Sequence, residues 1–262
     1  GRQRPRQQSG PPACRSRMIA SLPMYWRAEN ADLWRAFWSL VQEAAQDHGA
    51  SLPDLTAPMD LPADWYAHWL SADLALSMTC GLPFRTALRD KVHYVGTLDF
   101  GVTAQPGHYC SQIISRPGLT GPAQRLAYNS ADSQSGWAAA QNLPDMATMT
   151  AFIATGGHAA SLSAVAEGRA DIACLDAVTW RILQRVDPNA AKVHTKGTTP
   201  ATPGLPLITA LGTDPAPLRA AFAQATKAFV PADPELMGGK MRFCVLEEAL
   251  YVAQPIPAAP PH

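Results

Sequence analysis

Apolar and polar positions alternate along this chain in two repeating rhythms, short apolar runs followed by stretches of helical spacing. Ile19 to Leu22 is the first run. From about Asn30 to His48, Leu33, Trp34, Phe37, Trp38, Val41, Ala44 and Ala45 recur on one face, with Asn30 suited to cap the start and Gly49 to close the end. A segment at Trp65 to Leu70 leads to strand-like runs at Asp73 to Met78 and His93 to Leu98, then an extended piece at Gln112 to Ile114.

A second series opens near Arg125. Leu126 to Tyr128 predicts a strand, Asn129 to Gly136 a loop, and a helix runs on toward Asn142. Phe152 to Ala154 is a strand, Thr155-Gly156-Gly157 a turn, and His158 to Glu167 a helix with Gly168 at its C′ position. Ala170 to Leu175 predicts a buried strand ending at Asp176, followed by a helix through Trp180 to Arg185. Lys196 to Pro206, rich in Thr, Pro and Gly, predicts a linker or crossing. Leu207 to Ala210 is strand-like, and Asp214-Pro215 starts a helix with Leu218, Phe222, Ala225 and Phe229 on one face. A last amphipathic segment covers about Glu235 to Val252, and 255–262 is a Pro-rich tail with no core to join. There is no tandem repeat.

Strands alternating with helices predict an α/β fold with parallel sheets. Two such series predict two lobes: a discontinuous first lobe, 18–103 with 207–254, and a second, 104–206. The chain would cross near Phe100–Ser111 and return near Pro203–Ile208. In open α/β sheets ligands sit at the carboxyl ends of strands. That places the candidate loops after Leu22, Met78, Tyr128, Ala154 and Leu175.

Composition narrows the picture. The 262 residues are 47% hydrophobic and 16% charged, a globular balance, and Lys+Arg equals Asp+Glu at 21 each. Such a chain has no bulk reason to bind nucleic acid or an anionic membrane, so an anion must be held by local dipoles and a few placed groups. The exception is 1–17, with five arginines and no apolar stretch; it is not a secretory signal. It is expected to be a disordered leader, with a basic docking arm as the alternative. Five cysteines, none in a CxxC pair, give no support for a zinc or thioredoxin-type site, and Cys174 is expected to be a buried small hydrophobe.

Two loops run straight into helices. Ser133-Gln134-Ser135-Gly136 offers backbone N–H groups and two hydroxyls, and Thr155-Gly156-Gly157-His158 offers N–H groups with glycines that admit an anion. Free N–H groups and the helix dipole favour negative charge there. Ordinary helix capping explains either loop alone better; two such loops in one lobe, each at a strand's carboxyl end, bring an anion site level with it. Asp176 either caps the next helix or accepts a bond from His158 or a ligand. Tyr25, just past the first strand, either packs at a lobe surface or reaches across a cleft.

These residues also carry a resemblance. Thr155-Gly156-Gly157-His158-Ala159-Ala160-Ser161, continuing through Ala164 to Ala173 and on to Asp176, resembles the signature of phosphate, phosphite and phosphonate solute-binding proteins. Tyr128-Asn129, Ser133 to Gly136, Thr79 to Pro83 and Pro203 to Pro206 resemble it too, in order over about Met18 to Ala210. The resemblance implies a type II periplasmic-binding-protein fold that closes on a small phosphorus oxyanion. It implies a periplasmic monomer that delivers its solute to an ABC permease in the membrane, with no cofactor, no metal and no catalytic residue. It carries the ligand set onto Tyr25, Ser133, Gln134, Ser135, Thr155, Gly157, His158 and Asp176. Family members commonly have Thr where Gln134 stands and Ser where Gly157 stands, so two hydroxyl donors are missing. The resemblance further implies a disulfide from Cys80 to Cys110. Two alternatives share the fold: a cytosolic or sensor relative binding another anion, and an enzyme pairing Cys80 or Cys110 with His158.

Overall fold

The computed structural model describes residues 18–261. The leader expected at 1–17 and the terminal His262 lie outside the described residues. The strands are β1 (Ile19–Ser21), β2 (Leu74–Met78), β3 (Val92–Asp99), β4 (His108–Tyr109), β5 (Ser111–Ser115), β6 (Arg125–Tyr128), β7 (Ala151–Ala154), β8 (Ile172–Asp176), β9 (His194–Thr198), β10 (Thr202–Pro203), β11 (Pro206–Ala210) and β12 (Arg242–Cys244). The helices are α1 (Ala31–Asp47), α2 (Trp65–Trp69), α3 (Gly81–Arg85), α4 (His158–Ala166), α5 (Ala177–Val186), α6 (Pro215–Ala228) and α7 (Glu248–Val252).

Two five-stranded sheets result, ordered β1-β2-β11-β3-β12 and β7-β6-β8-β5-β9. They are mixed, not parallel throughout as the strand–helix alternation predicts. β11 runs antiparallel to β2 and β3 because it arrives by the return crossing, and β5 runs antiparallel to β8 because it enters by the outward one. The parallel pairs are β1–β2, β6–β7 and β6–β8. The two crossings pair with each other through β4 and β10, Thr202 opposite Tyr109 and Pro203 opposite His108.

The stretch Lys196 to Pro206 is therefore not a plain linker. It holds the end of β9 and all of β10. β9 is exposed at every position and contains Gly197, so it shows none of the apolar alternation that marks a strand. The final segment also departs from a single amphipathic helix, because β12 interrupts Glu235 to Val252 to extend the first sheet beside β3.

α1 and α6 cover one face of the first sheet. Trp34, Phe37, Trp38 and Val41 meet Leu218, Ala221, Phe222 and Ala225 in one core. The Phe37 ring lies 6.1 Å from Phe222 and 5.3 Å from Phe229. Burying each large side chain contributes about 1.5–3 kcal/mol. The second sheet is packed on both faces. Ile114, Leu162, Val165 and Leu183 fill one side, and Leu126, Trp137, Leu143 and Cys174 the other. Burial pushes the Cys174 thiol up to about 12, as expected of an inert core cysteine.

The sheets are joined by more than their crossings. α5 follows the second sheet yet carries Val178 and Ile182 into the first core. Its Arg181 donates to the carbonyls of Phe100, Gly101 and Gly238, and Arg185 pairs with Asp233 at 2.6 Å. The tail does find a place to pack. Arg85 donates to the Pro255 carbonyl at 2.6 Å, the Trp137 indole donates to the Ala258 carbonyl at 2.8 Å, and Pro260 is buried. Extended proline-rich backbone leaves its carbonyls free to accept, which is how a segment without apolar periodicity becomes ordered. Among the described residues no helix is long and apolar enough to cross a membrane.

Candidate functional site

A cavity of about 610 Å³ opens between the two sheets. Its second-sheet wall comes from the loops after β6, β7 and β8, and its first-sheet wall from the loop after β1, from α2 and from the start of α3. These are the carboxyl ends of strands, as the topology demands.

In the loop after β6, Ser133 opens a π-helical turn, Gln134–Ala138, and its hydroxyl accepts from Gly136 N at 2.9 Å. A Cβ at Gly136 would collide with the Asn129 carboxamide, so only glycine lets the turn close this tightly on β6. The turn sets the Ser133 and Ser135 hydroxyls 3.5 Å apart, both buried. After β7, Gly156 takes a left-handed φ of 87° and sends the chain into α4. His158, the first residue of α4, meets the Ser135 hydroxyl with Nε2 at 2.8 Å. Two loops thus converge on one hydroxyl–imidazole contact. The His158 Nδ1 is buried and has no partner, and burial lowers the imidazole to about 4, so the ring is neutral at pH 7.

The loop after β8 supplies Asp176. Its Oδ1 caps α5 by accepting from Val178 N at 2.8 Å and Thr179 N at 3.4 Å. Its Oδ2 accepts from the Tyr25 hydroxyl at 2.8 Å, across the cavity from the first sheet. Asp176 thus caps α5 as expected, and the side-chain donor it meets is Tyr25 rather than His158. Burial raises its carboxyl to about 6 despite the three donors, and the same burial, reinforced by the carboxylate, pushes the Tyr25 phenol well above its usual range. Asn30 was expected to cap α1 with its side chain. Instead its amide donates to the carbonyls of Tyr25 and Leu236, and the Trp34 indole adds a bond to Tyr25 O at 3.3 Å. That buried amide fixes the backbone from which Tyr25 crosses.

A second tyrosine does the same farther along the wall. Tyr66 on α2 donates to Asp132 Oδ2 at 2.7 Å, while Ser130 donates to Asp132 Oδ1 at 2.7 Å. Around it stand Trp26, Trp65 and Trp69, all lining the cavity. The wall carries three carboxylates, Asp64, Asp132 and Asp176, against one guanidinium, Arg27.

Three solved structures are similar to this chain in fold. PhnD1 from Prochlorococcus marinus, in complex with methylphosphonate, superposes with a TM-score of 0.63 at 13% identity, covering 89% of this chain and 94% of that one. A binding protein component of an ABC phosphonate transporter from Pseudomonas aeruginosa gives 0.59 at 15% identity, over 86% and 80%. MatC from Rhodopseudomonas palustris, with bound malate, gives 0.54 at 12% identity, over 87% and 90%. The fold is that of the type II periplasmic binding proteins. At these identities the likeness of the binding-protein fold is a likeness of architecture. No family model and no curated protein sequence matches the chain.

Within this binding-protein fold the eight expected residues divide. Tyr25, Ser133, Ser135, Gly157, His158 and Asp176 line the cavity. Gln134 and Thr155 do not. The Gln134 N–H donates to the Cys80 sulfur at 3.2 Å, and the Thr155 hydroxyl is turned to the Tyr128 and Gly157 carbonyls and the Ser161 hydroxyl, tying the turn behind the wall. The Cys80–Cys110 bridge is not formed. Both are free thiols, Cys80 Sγ facing Gln134 N and Cys110 Sγ directed at the Val102 carbonyl. Their elements diverge, Cys80 leading into α3 and Cys110 into β5. Sequence reading passes over Trp26, Trp65, Tyr66 and Asp132. Of these Asp132 and Trp26 carried a signal, their places in the loops after β6 and β1.

Proposed function

We propose that this protein is the solute-binding component of an ABC importer and that it captures a small phosphorus oxyanion, a phosphonate, phosphite or phosphate, by closure of its lobes. The observation that carries the reading is the convergence of Ser133, Ser135 and His158 at the carboxyl ends of β6 and β7, facing Tyr25 across the cleft. The hydroxyls, the neutral imidazole and the N–H group at Gly157 are donors a tetrahedral oxyanion can use, while the Gly156 N–H is held by the Asn129 carbonyl at 2.9 Å. Added Cβ atoms at both glycines would meet nothing within 4 Å, which leaves room for oxygen to approach the backbone. Gln134 and Thr155 act from behind, by fixing the two turns.

The moving bodies are 18–103 with 207–254, and 104–206. A ligand touching both stabilises the closed form by its differential contacts and shifts the population. A micromolar dissociation constant requires only about 8 kcal/mol. The closed monomer then docks on the permease in the membrane, from the periplasmic side, and releases its solute unchanged. The rival thiol–imidazole enzyme has less support. Burial pushes the Cys80 thiol up and the His158 imidazole down, the opposite of what a thiolate–imidazolium pair needs.

Isothermal titration with phosphate, phosphite, methylphosphonate and 2-aminoethylphosphonate tests the reading. Saturable one-to-one heat from at least one of them is expected, weakened by Ser135→Ala. Folded protein giving no heat with all four sinks it.

A further inference from the structure

The cavity is larger than a bare oxyanion fills, and its wall carries charge that favours a cation beside the anion. A five-heavy-atom ion occupies roughly 100 Å³, a few water volumes, against about 610 Å³ here. A volume of that order suits an organic ligand. Three carboxylates face one guanidinium, and that guanidinium, Arg27, is already offset by Glu29 at 3.6 Å. A dianion alone would enter a wall of net negative charge.

The first-sheet wall has a distinct chemistry. Trp65 and Tyr66 both stand edge-on to Trp69, with interplanar angles of 68° and 81° and ring centroids 5.9 and 5.4 Å away. Near-perpendicular rings make the corner of a box. Trp26 joins the same wall, with its ring already holding the Arg35 guanidinium 5.1 Å from the centroid, on a residue that does not line the cavity. Trp26, Trp65 and Tyr66 are only half-buried, so aromatic surface faces the opening. Aromatic rings bordered by carboxylates attract cations through the ring quadrupole and the added negative field.

The carboxylates also discriminate among cations. Asp64 accepts from Tyr66 N at 2.9 Å, Asp132 from Tyr66 and Ser130, and Asp176 from Tyr25, Val178 and Thr179. Each is already engaged by donors from the protein. A primary ammonium, which gives up as many as three hydrogen bonds on leaving water, has to share carboxylates that already accept from the protein, and the ring faces replace none of those bonds. A quaternary ammonium needs only the field and the ring faces.

Resting on the reading of the cleft as a solute site, we infer that Trp26, Trp65, Tyr66 and Trp69 form a second subsite for a quaternary ammonium group. The solute is then a zwitterion, its oxyanion at Ser133, Ser135 and His158 and its methylated cation in the aromatic corner. Titration calorimetry on the full chain with phosphocholine, phosphoethanolamine, inorganic phosphate and choline chloride tests this. Phosphocholine is expected to bind at least tenfold tighter than phosphoethanolamine and phosphate. Trp65→Leu should erase that advantage and leave phosphate affinity within twofold, whereas Trp65→Phe, which keeps a ring, should restore most of it. Both variants are compared by thermal melting to exclude loss of fold. Phosphate binding with no gain for phosphocholine overturns this inference and leaves the oxyanion reading standing. Choline binding that Trp65→Leu abolishes, with no phosphate binding, does the reverse. Silence from all four overturns both.

Discussion

The Tyr25 hydroxyl and the Asp176 carboxylate meet at 2.8 Å across the cleft, the tyrosine carried by the first sheet and the aspartate by the second. Asp176 also caps α5, so the bond links the closing surface to a helix that is packed into both bodies. Removing the hydroxyl while keeping the ring should loosen closure. For Tyr25→Phe we expect about tenfold weaker binding of the solute, the equivalent of one hydrogen bond at about 1.4 kcal/mol. The ligand-free radius of gyration in small-angle scattering should rise. Unchanged affinity and unchanged scattering would show that the bond does not hold the cleft.

The same aspartate gives a pH signature that His158 masks. The folded chain holds the Asp176 proton more tightly than the unfolded chain, because burial raises its carboxyl to about 6. Its contribution to stability is therefore greatest in acid and is lost as pH rises toward 6. His158 is lowered to about 4, so the unfolded chain holds its proton more tightly, and its contribution is lost as pH falls from the ordinary histidine range toward 4. The slopes oppose between about pH 4 and 6. Buried His68 is lowered too and adds to the His158 slope, so urea melts should show stability rising with pH more steeply than in the parent for Asp176→Asn and less steeply for His158→Gln, each change at most about 1.4 kcal/mol per pH unit. Parallel profiles in the two variants would contradict the assignment.

Gly157 is the position where a missing donor can be restored. Its φ of −175° is extended backbone open to any residue, and an added Cβ meets no atom within 4 Å. Gly157→Ser should leave the melting temperature within error and tighten phosphate about fivefold, the gain of one hydroxyl donor at about 1 kcal/mol. Calorimetry on the variant decides it.

The cysteines were the least legible part of the site. Cys80 and Cys110 looked like partners by resemblance, but spacing carries no information on where a sulfur points. Burial raises both thiols. Peptide mapping without reductant after mild oxidation should find no linked Cys80–Cys110 pair, and iodoacetamide at neutral pH should label Cys80 slowly. A linked peptide in good yield would restore the bridge.

Asp171 illustrates a residue whose role emerges only in three dimensions. It sits between Gly168 and β8 and looked like part of a motif, yet it binds Arg116 at 2.7 Å, Arg125 at 2.8 Å and the N–H groups of Gln124 and Arg125 at 3.0 Å. These donors hold its carboxyl well below the usual range despite burial. Asp171→Ala should cost about 3 kcal/mol in denaturant melts, with ligand affinity unchanged at temperatures where the variant stays folded.

The apolar rhythm was enough to place most strands and helices, because residues such as Trp34, Phe37 and Leu162 face one core and must recur at its period. It failed where burial is one-sided or absent. β9 has no buried residue, β12 is three residues long, and the tail is ordered by its carbonyls. The corner of Ser133, Ser135 and His158 was legible from its place in two loops at strand carboxyl ends, although capping accounts for the same serines and glycines taken one loop at a time. The aromatic corner was not, since Trp65 and Trp69 on a short helix read as ordinary core until their neighbours across the cleft are known.

The last described residues tie the two sheets together once more. Beside the peptide crossings, the packing of α5 and the Tyr25–Asp176 bond, the segment from Pro255 to Ala258 is pinned to Arg85 next to the first sheet and Trp137 next to the second. Wide opening has to rupture that pin. Any swing that carries Arg85 away from Trp137 has to break a backbone carbonyl's bond to a guanidinium or to an indole, so the tail acts as a tether on how far the two sheets can part.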